Sequence, residues 1–314
     1  MIIVLLLTGC DAGLASGGNR GKIKIVSTLF PPYDFVRNIA GDKAEVSLLL
    51  APSSDSHSYE PTPHDIIKVR EADIFLYIGG ASDEWTRRIL SPSEDSSVTA
   101  VRLMDSVNLL AEETVEGMQV DGHIHDHNCE HEHHYFDEYD EHIWTSPRNA
   151  VLMTLAIADA LCAVDPENAD YYRDNAGIYI KKLEALGDTF KEITSTASRN
   201  TVVFADRFAF RYLTEEYGLN YFAAFPGCAE QTEPSALTLA FLIEKIREEE
   251  IPVVFYGELS DKRTANSISR ETGAAALLLH SCHTVTKEEL DAGTGYIELM
   301  ETNAAALRKA LTFY

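Results

Sequence analysis

From residue 22 onward, short runs of β-branched and aromatic residues alternate with stretches whose apolar positions recur every three or four residues. Residues 22–28 (KIKIVST), 44–50 (AEVSLLL) and 72–79 (ADIFLYIG) read as strands. Between them, FPPYDFVRNIAG opens on prolines and closes on glycine, as helices do, and Pro63 opens the amphipathic PHDIIKVREA. DEWTRRIL reads as a further helix. The second half repeats this order. TVVFAD, LNYFAAF, IPVVFYGE and AAALLLH are strands, separated by FAFRYLTEEYG, PSALTLAFLIEKIREEE and DKRTANSISRETG as helices. TGYIELMETNAAALRKAL closes the chain as an amphipathic helix. Strands separated by helices predict parallel sheets built from right-handed crossovers.

The middle departs from this rhythm. Residues 121–142 (DGHIHDHNCEHEHHYFDEYDEH) are acidic and His-rich, a composition that predicts a loop. After a helix over SPRNAVLMTLAIADALCAV comes a second one of about 30 residues with no internal proline, which rises about 45 Å. The expected architecture is α/β: two parallel-sheet βα lobes joined by one long rigid helix, with a site in the cleft between them. The expected boundaries are a leader and tether over 1–21, an N-terminal lobe over 22–165 carrying a His-rich loop at 121–135, a connecting helix over 166–198 and a C-terminal lobe over 199–314.

The first ten residues, MIIVLLLTGC, form an apolar run ending in a segment that resembles a bacterial lipobox, with Cys10 as the lipidated residue. The basic n-region of a signal peptide is absent. Nine residues are too few to span a bilayer, which takes about 20. The Gly/Ser-rich residues that follow read as a flexible tether. The expectation is a body outside the cytoplasmic membrane on a lipid anchor, with no later run of about 18 consecutive apolar residues.

Charge narrows the function. Among 314 residues, 50 are acidic and 26 basic, a net charge of −24. Nucleic-acid binders neutralise phosphates with Lys and Arg, so this balance argues against that class and against adsorption on anionic lipid. A negative field attracts cations, although acidic surfaces also simply maintain solubility.

Six of the 11 histidines crowd the acidic loop: His123, His125, His127, His131, His133 and His134, with Cys129 among them. This tract reads as a weak accessory metal trap. Ligands in α/β sheets bind beyond the carboxyl ends of strands. Those loops carry His57, Arg207, Glu258 and His280, and His142 stands just before a helix. Imidazole suits zinc, copper and nickel, and a carboxylate completes many zinc sites. Three histidines on loops from both lobes, His57, His142 and His280, could meet in the cleft. His64 falls on the helix opened by Pro63, and Cys162 lies in an apolar helical stretch where thiols are buried and inert.

From residue 22 to the end, the chain resembles the solute-binding proteins of zinc and manganese ABC importers (cluster A-I), in their zinc-uptake branch. The resemblance rests on ordered segments: STLFPPYDFVRNIAGDKAEV, APSSDSHSYEPTPHDIIKVREADIFLYIG around His57, EHIWTSPRNA around His142, VVFADRFAFRYLTEEYGL, and the closing helix. A His-rich acidic loop before the second-ligand segment marks the zinc-specific branch. The resemblance implies a non-enzymatic subunit that captures Zn2+, with Mn2+ as the alternative, and delivers it to a membrane permease. It implies a monomer, extracytoplasmic and membrane-attached only through its lipid.

At one position the chain departs from the family. Arg207 stands where the family places a His or Glu ligand, and a guanidinium, always protonated, cannot ligate a cation. The expected ligands are therefore His57, His142 and His280, with Glu258 as the fourth. Arg207 is expected to orient a carboxylate such as Glu258, with Asp206 beside it and His283 beside His280 as further candidates. Cys228 and Cys282 are expected to pair as a disulfide bracing the His280 loop. The competing classes are a surface adhesin and, least favoured, a zinc hydrolase using Glu258 as base. No H-E-x-x-H motif or nucleophile motif supports the latter.

Overall fold

A computed structural model describes residues 21–90, 98–119, 139–229 and 233–312. The first sheet contains β1 (Ile23–Ser27), β2 (Ala44–Leu48), β3 (Ile74–Tyr77) and β4 (Thr99–Arg102), all parallel, in the order β2-β1-β3-β4. Its crossovers carry α1 (Phe30–Ala40), α2 (Pro63–Arg70) and the one-turn α3 (Thr86–Ile89). Two helices follow, α4 (Pro147–Val164) and α5 (Ala169–Ser195).

The second sheet repeats the topology of the first. It holds β5 (Thr201–Phe208), β6 (Asn220–Pro226), β7 (Val253–Tyr256) and β8 (Ala275–Leu278), parallel and ordered β6-β5-β7-β8. The helices α6 (Arg211–Tyr217), α7 (Ala236–Glu248) and α8 (Arg263–Thr272) connect them, and α9 (Lys287–Ala292) and α10 (Tyr296–Thr312) finish the fold. In each sheet the chain first steps to one side of its opening strand and then crosses to the other. The strand order therefore reverses at β1/β3 and at β5/β7, where a crevice opens beyond the carboxyl ends.

The helix α5 is amphipathic on a 3–4 spacing. Tyr172, Ala176, Tyr179, Leu183, Leu186, Phe190 and Ile193 are its buried positions. Its 27 residues rise about 40 Å, and its two ends engage different lobes. Toward its N-terminus, Asn175 Nδ2 donates to the Ile39 carbonyl at 3.0 Å, and the Tyr179 hydroxyl to Asp34 Oδ2 at 2.9 Å. Toward its C-terminus, Phe190 stacks on Tyr217 with ring centres 5.5 Å apart. One apolar core runs continuously from Ile25 and Phe35, through this stripe, to Phe204 and Phe255. A shared core of this kind opposes wide hinge opening.

The helix α4 is apolar and 18 residues long, so by length and composition it could cross a bilayer. In this fold it is a core helix, with Met153, Ile157 and Leu161 fully buried.

Candidate metal centre

The 3-10 turn Ser56–Ser58 in the connection after β2 presents His57, with the Asp55 side chain capping it by accepting the His57 N–H at 3.1 Å. His142 enters from the segment just before α4. His283 enters from the connection after β8. The metal-binding atoms of His57, His142 and His283 all lie within 4.8 Å of one another. Their ring centres are 4.6 Å apart for His142 and His283, 5.2 Å for His57 and His283, and 5.7 Å for His57 and His142.

Hydrogen bonding fixes which nitrogen each ring offers. The Asp140 carboxylate lies 2.9 Å from His142 Nδ1 and also accepts the His142 backbone N–H at 2.8 Å. A carboxylate only accepts, so Nδ1 carries the proton and Nε2 presents a lone pair. Ser281 gives its hydroxyl proton to Glu258 Oε1 at 2.6 Å, and its oxygen lies 3.2 Å from His283 Nδ1. That oxygen is left to accept, which again places the proton on Nδ1. Ser82 repeats the pattern. It donates to Glu141 Oε1, and its oxygen is 3.1 Å from His57 Nδ1. The Nε2 atoms of His142 and His283 are buried and have no hydrogen-bond partner among the described residues. An imidazole held at Nδ1 by an oxygen acceptor, with a bare Nε2, is the arrangement metal-ligating histidines adopt.

The charges agree with this. Burial pushes the His57 and His283 pKa values down; Glu141 opposes this at His57, while Arg207 and the neighbouring imidazoles reinforce it at both. Burial acts in the same direction on His142, but Asp140, Glu141 and Glu112 outweigh it and raise its pKa. Gly227 admits His142 to this packing, since a Cβ there would sit 2.9 Å from His142 Cε1. The Trp144 indole donates to the Ser281 carbonyl at 2.7 Å and packs on the His283 ring at 4.8 Å, tying the two ligand-bearing segments together.

The sequence-predicted residues separate at this point. His57 and His142 are together in the centre. His280, although buried, is not with them. Its Nδ1 accepts the Cys282 N–H at 2.9 Å, and its backbone is clasped by Asn303 on α10 through two bonds of 2.7 Å. With Nδ1 committed as an acceptor, the neutral ring's proton is on Nε2 and no lone pair remains for a cation. The geometry puts His283 where His280 was expected.

Glu258 is engaged by Ser281, accepting its N–H at 2.9 Å as well as its hydroxyl, and so steadies His283; it is not among the atoms that cluster with the three rings. Arg207, at the end of β5 beyond a register shift, orients a carboxylate, but that carboxylate is Asp55 at 2.6 Å and not Glu258. Asp206 accepts the Gly257 N–H at 3.1 Å and so shapes the turn after β7. Cys228 and Cys282 are both free thiols, so the expected disulfide is absent. His64 is exposed on α2, and Cys162 is half-buried rather than buried. Cys10, Cys129, His123, His125, His127, His131, His133 and His134 lie outside the described residues. Sequence reasoning missed Asp140 and Glu141 as partners of the histidines. The Asp-x-His spacing at 140–142 was the available signal for the first.

A cleft of about 700 Å3 adjoins the centre, its walls including Asp55, His57, His142, Arg207, Glu258 and His283.

The sequence model of the family described as "Zinc-uptake complex component A periplasmic" (ZnuA) matches residues 25–310. The chain belongs to the ZnuA family. It is 33% identical over 312 residues to the zinc-binding lipoprotein AdcA of Streptococcus pneumoniae, covering 98% of this chain and 60% of that protein. It therefore spans about three fifths of AdcA. It is 31% identical over 310 residues to the high-affinity zinc uptake system protein ZnuA of Bacillus subtilis, covering 98% of this chain and 94% of that one. The crystal structure of the Zn(II)-bound ZnuA-like domain of S. pneumoniae AdcA matches with a TM-score of 0.76 at 30% identity, over 93% of this chain and 99% of that chain. The ZnuA family is a non-enzymatic, metal-binding component of transport.

Proposed function

We propose that this chain captures Zn2+ in the inter-lobe cleft with His57, His142 and His283, and delivers it to an ABC permease in the membrane. The observation that carries this reading is the convergence of three imidazoles, with two buried Nε2 atoms that have no hydrogen-bond partner among the described residues. An all-nitrogen donor set favours zinc over manganese, which prefers oxygen. The zinc-binding names of the relatives and the zinc held by the AdcA domain point the same way. The location is extracytoplasmic, with Cys10 as the lipid attachment point, in keeping with AdcA's description as a lipoprotein and the family's as periplasmic. The His-rich tract at 121–135 serves as a weak accessory trap that feeds the cleft.

The test is calorimetric titration of Zn2+ and Mn2+ into the metal-stripped protein, its 121–135 deletion and His57→Ala. One tight Zn2+ site that survives the deletion and is lost in His57→Ala is the expected result. Binding that vanishes with the tract and ignores His57 overturns the cleft reading.

Capture is also coupled to protons. A cation needs a neutral imidazole. His57 and His283, with lowered pKa values, shed their protons early as pH rises, whereas His142, with a raised pKa, holds its proton longest. Zn2+ affinity should therefore fall as the solution is acidified, and the protons released per ion should rise. Titrations in buffers of different ionisation heat measure this. Release independent of pH across the imidazole range would contradict it.

A further inference from the structure

His57 belongs to two clusters. Besides the three-imidazole group, it lies with the Glu141 carboxylate and the Cys228 sulfur in a second set whose metal-binding atoms are all within 4.8 Å of one another. His57 Nδ1 is 3.2 Å from Glu141 Oε1. Glu141 is almost fully buried and held in place, its Oε2 accepting the Ser82 N–H at 3.2 Å. Gly80 leaves it room, since a Cβ there would lie 2.3 Å from Oε2.

Cys228 directly follows Gly227, the residue whose missing side chain lets the backbone run against His142. Its N–H donates to Glu112 Oε1 at 2.9 Å, and its sulfur is in no disulfide among the described residues. The backbone thus sets the sulfur beside the metal centre on the side of Glu141. Imidazole, carboxylate and thiol together make a mixed donor set of the kind that holds zinc, and the sulfur favours softer cations.

We propose that the cleft contains two overlapping cation positions sharing His57: the three-imidazole position, and a second one formed by His57, Glu141 and Cys228 that selects thiophilic divalent cations. This rests on the cleft being a metal site at all. Filling the second position forms a metal–sulfur bond and releases the thiol proton to solvent, with no change of oxidation state. A neutral imidazole has a single ring lone pair. His57 offers Nε2 to the three-imidazole position and Nδ1, the nitrogen beside Glu141, to the second, so filling the second also moves the ring proton from Nδ1 to Nε2 through solvent, and the two positions are alternatives for one ion. An ion passes between them by exchanging His142, His283 and His57 Nε2 for Glu141, Cys228 and His57 Nδ1.

Cobalt is the probe, because a Co2+–thiolate bond gives a near-ultraviolet charge-transfer band distinct from the visible d–d bands of any tetrahedral Co2+. Co2+ is titrated into the full, reduced, metal-stripped chain and into Cys228→Ser, His283→Ala and His57→Ala. The charge-transfer band is expected in the parent chain and in His283→Ala, where the thiol position is intact. It is expected to be lost in Cys228→Ser and in His57→Ala. If Cys228→Ser does not fold, the contrast between His57→Ala and His283→Ala decides alone. Visible d–d bands without charge transfer, or a charge-transfer band that persists in Cys228→Ser, overturn the thiol position and leave the three-imidazole reading standing. A parent chain that takes up no Co2+ and no Zn2+ sinks the metal reading itself.

Discussion

Replacing His142 by alanine should abolish tight Zn2+ capture, the largest loss expected from any single side chain. The ring is wholly buried and its Nδ1 is held by Asp140 at 2.9 Å. Asp140 also accepts the backbone N–H of the same residue, so one carboxylate fixes both the ring and the peptide that carries it. Of the three rings, this is the one whose carboxylate neighbours raise its pKa, and hence its basicity toward a cation as well as toward a proton. Asp140→Asn keeps the ligand and weakens its support, a change that typically costs about 10–100-fold in metal affinity. The loss in His142→Ala should exceed that. A chromophoric chelator in competition reads both. A thermodynamic readout runs alongside, because a ligand at about 100 times its Kd stabilises the folded state by about 2.7 kcal/mol. Zn2+ should raise the melting temperature of the parent chain and leave that of His142→Ala nearly unmoved. Equal affinities for the parent and His142→Ala would remove this residue from the centre.

The fold was legible because its signals are local and periodic. Alternation of strand and helix in each half predicts parallel sheets, and a long proline-free amphipathic run predicts α5. The strand β4 escaped because TAVR is four residues long, only half-buried and mixed in polarity, with no run to mark it. The partners in the cleft depend on contacts that no local pattern encodes. Arg207 and the carboxylate it orients are 152 positions apart, and the sequence offers Glu258 and Asp55 on equal terms. Whether two thiols such as Cys228 and Cys282 meet depends on backbone geometry that spacing does not reveal. The choice between His280 and His283 turns on a kink. Cys282 adopts φ +62, a left-handed conformation uncommon for a residue with a side chain. That kink separates the two imidazoles, so that His280 turns its Nδ1 onto the Cys282 N–H and His283 joins His57 and His142.

That kink yields the sharpest contrast between neighbours. His283→Ala should lose most of its Zn2+ affinity, and its cost to the metal-free fold, a packed ring and the Ser281 contact, is partly offset because it removes a buried Nε2 with no partner among the described residues. His280→Ala should cost the metal-free fold more and Zn2+ affinity less. It removes the acceptor of the Cys282 N–H, and an unsatisfied buried donor costs about 1–3 kcal/mol, to which the loss of a well-packed ring adds. Its Zn2+ affinity should stay much closer to the parent value, because His283 retains both Ser281 and Trp144 as supports. Denaturant unfolding of the metal-free proteins reads the first quantity and chelator competition the second, so the two variants should separate on both axes. Should His280→Ala lose zinc while His283→Ala keeps it, the ligand set reverts to the one expected from sequence, and the Cys282 N–H bond to the His280 ring must break when the ion binds.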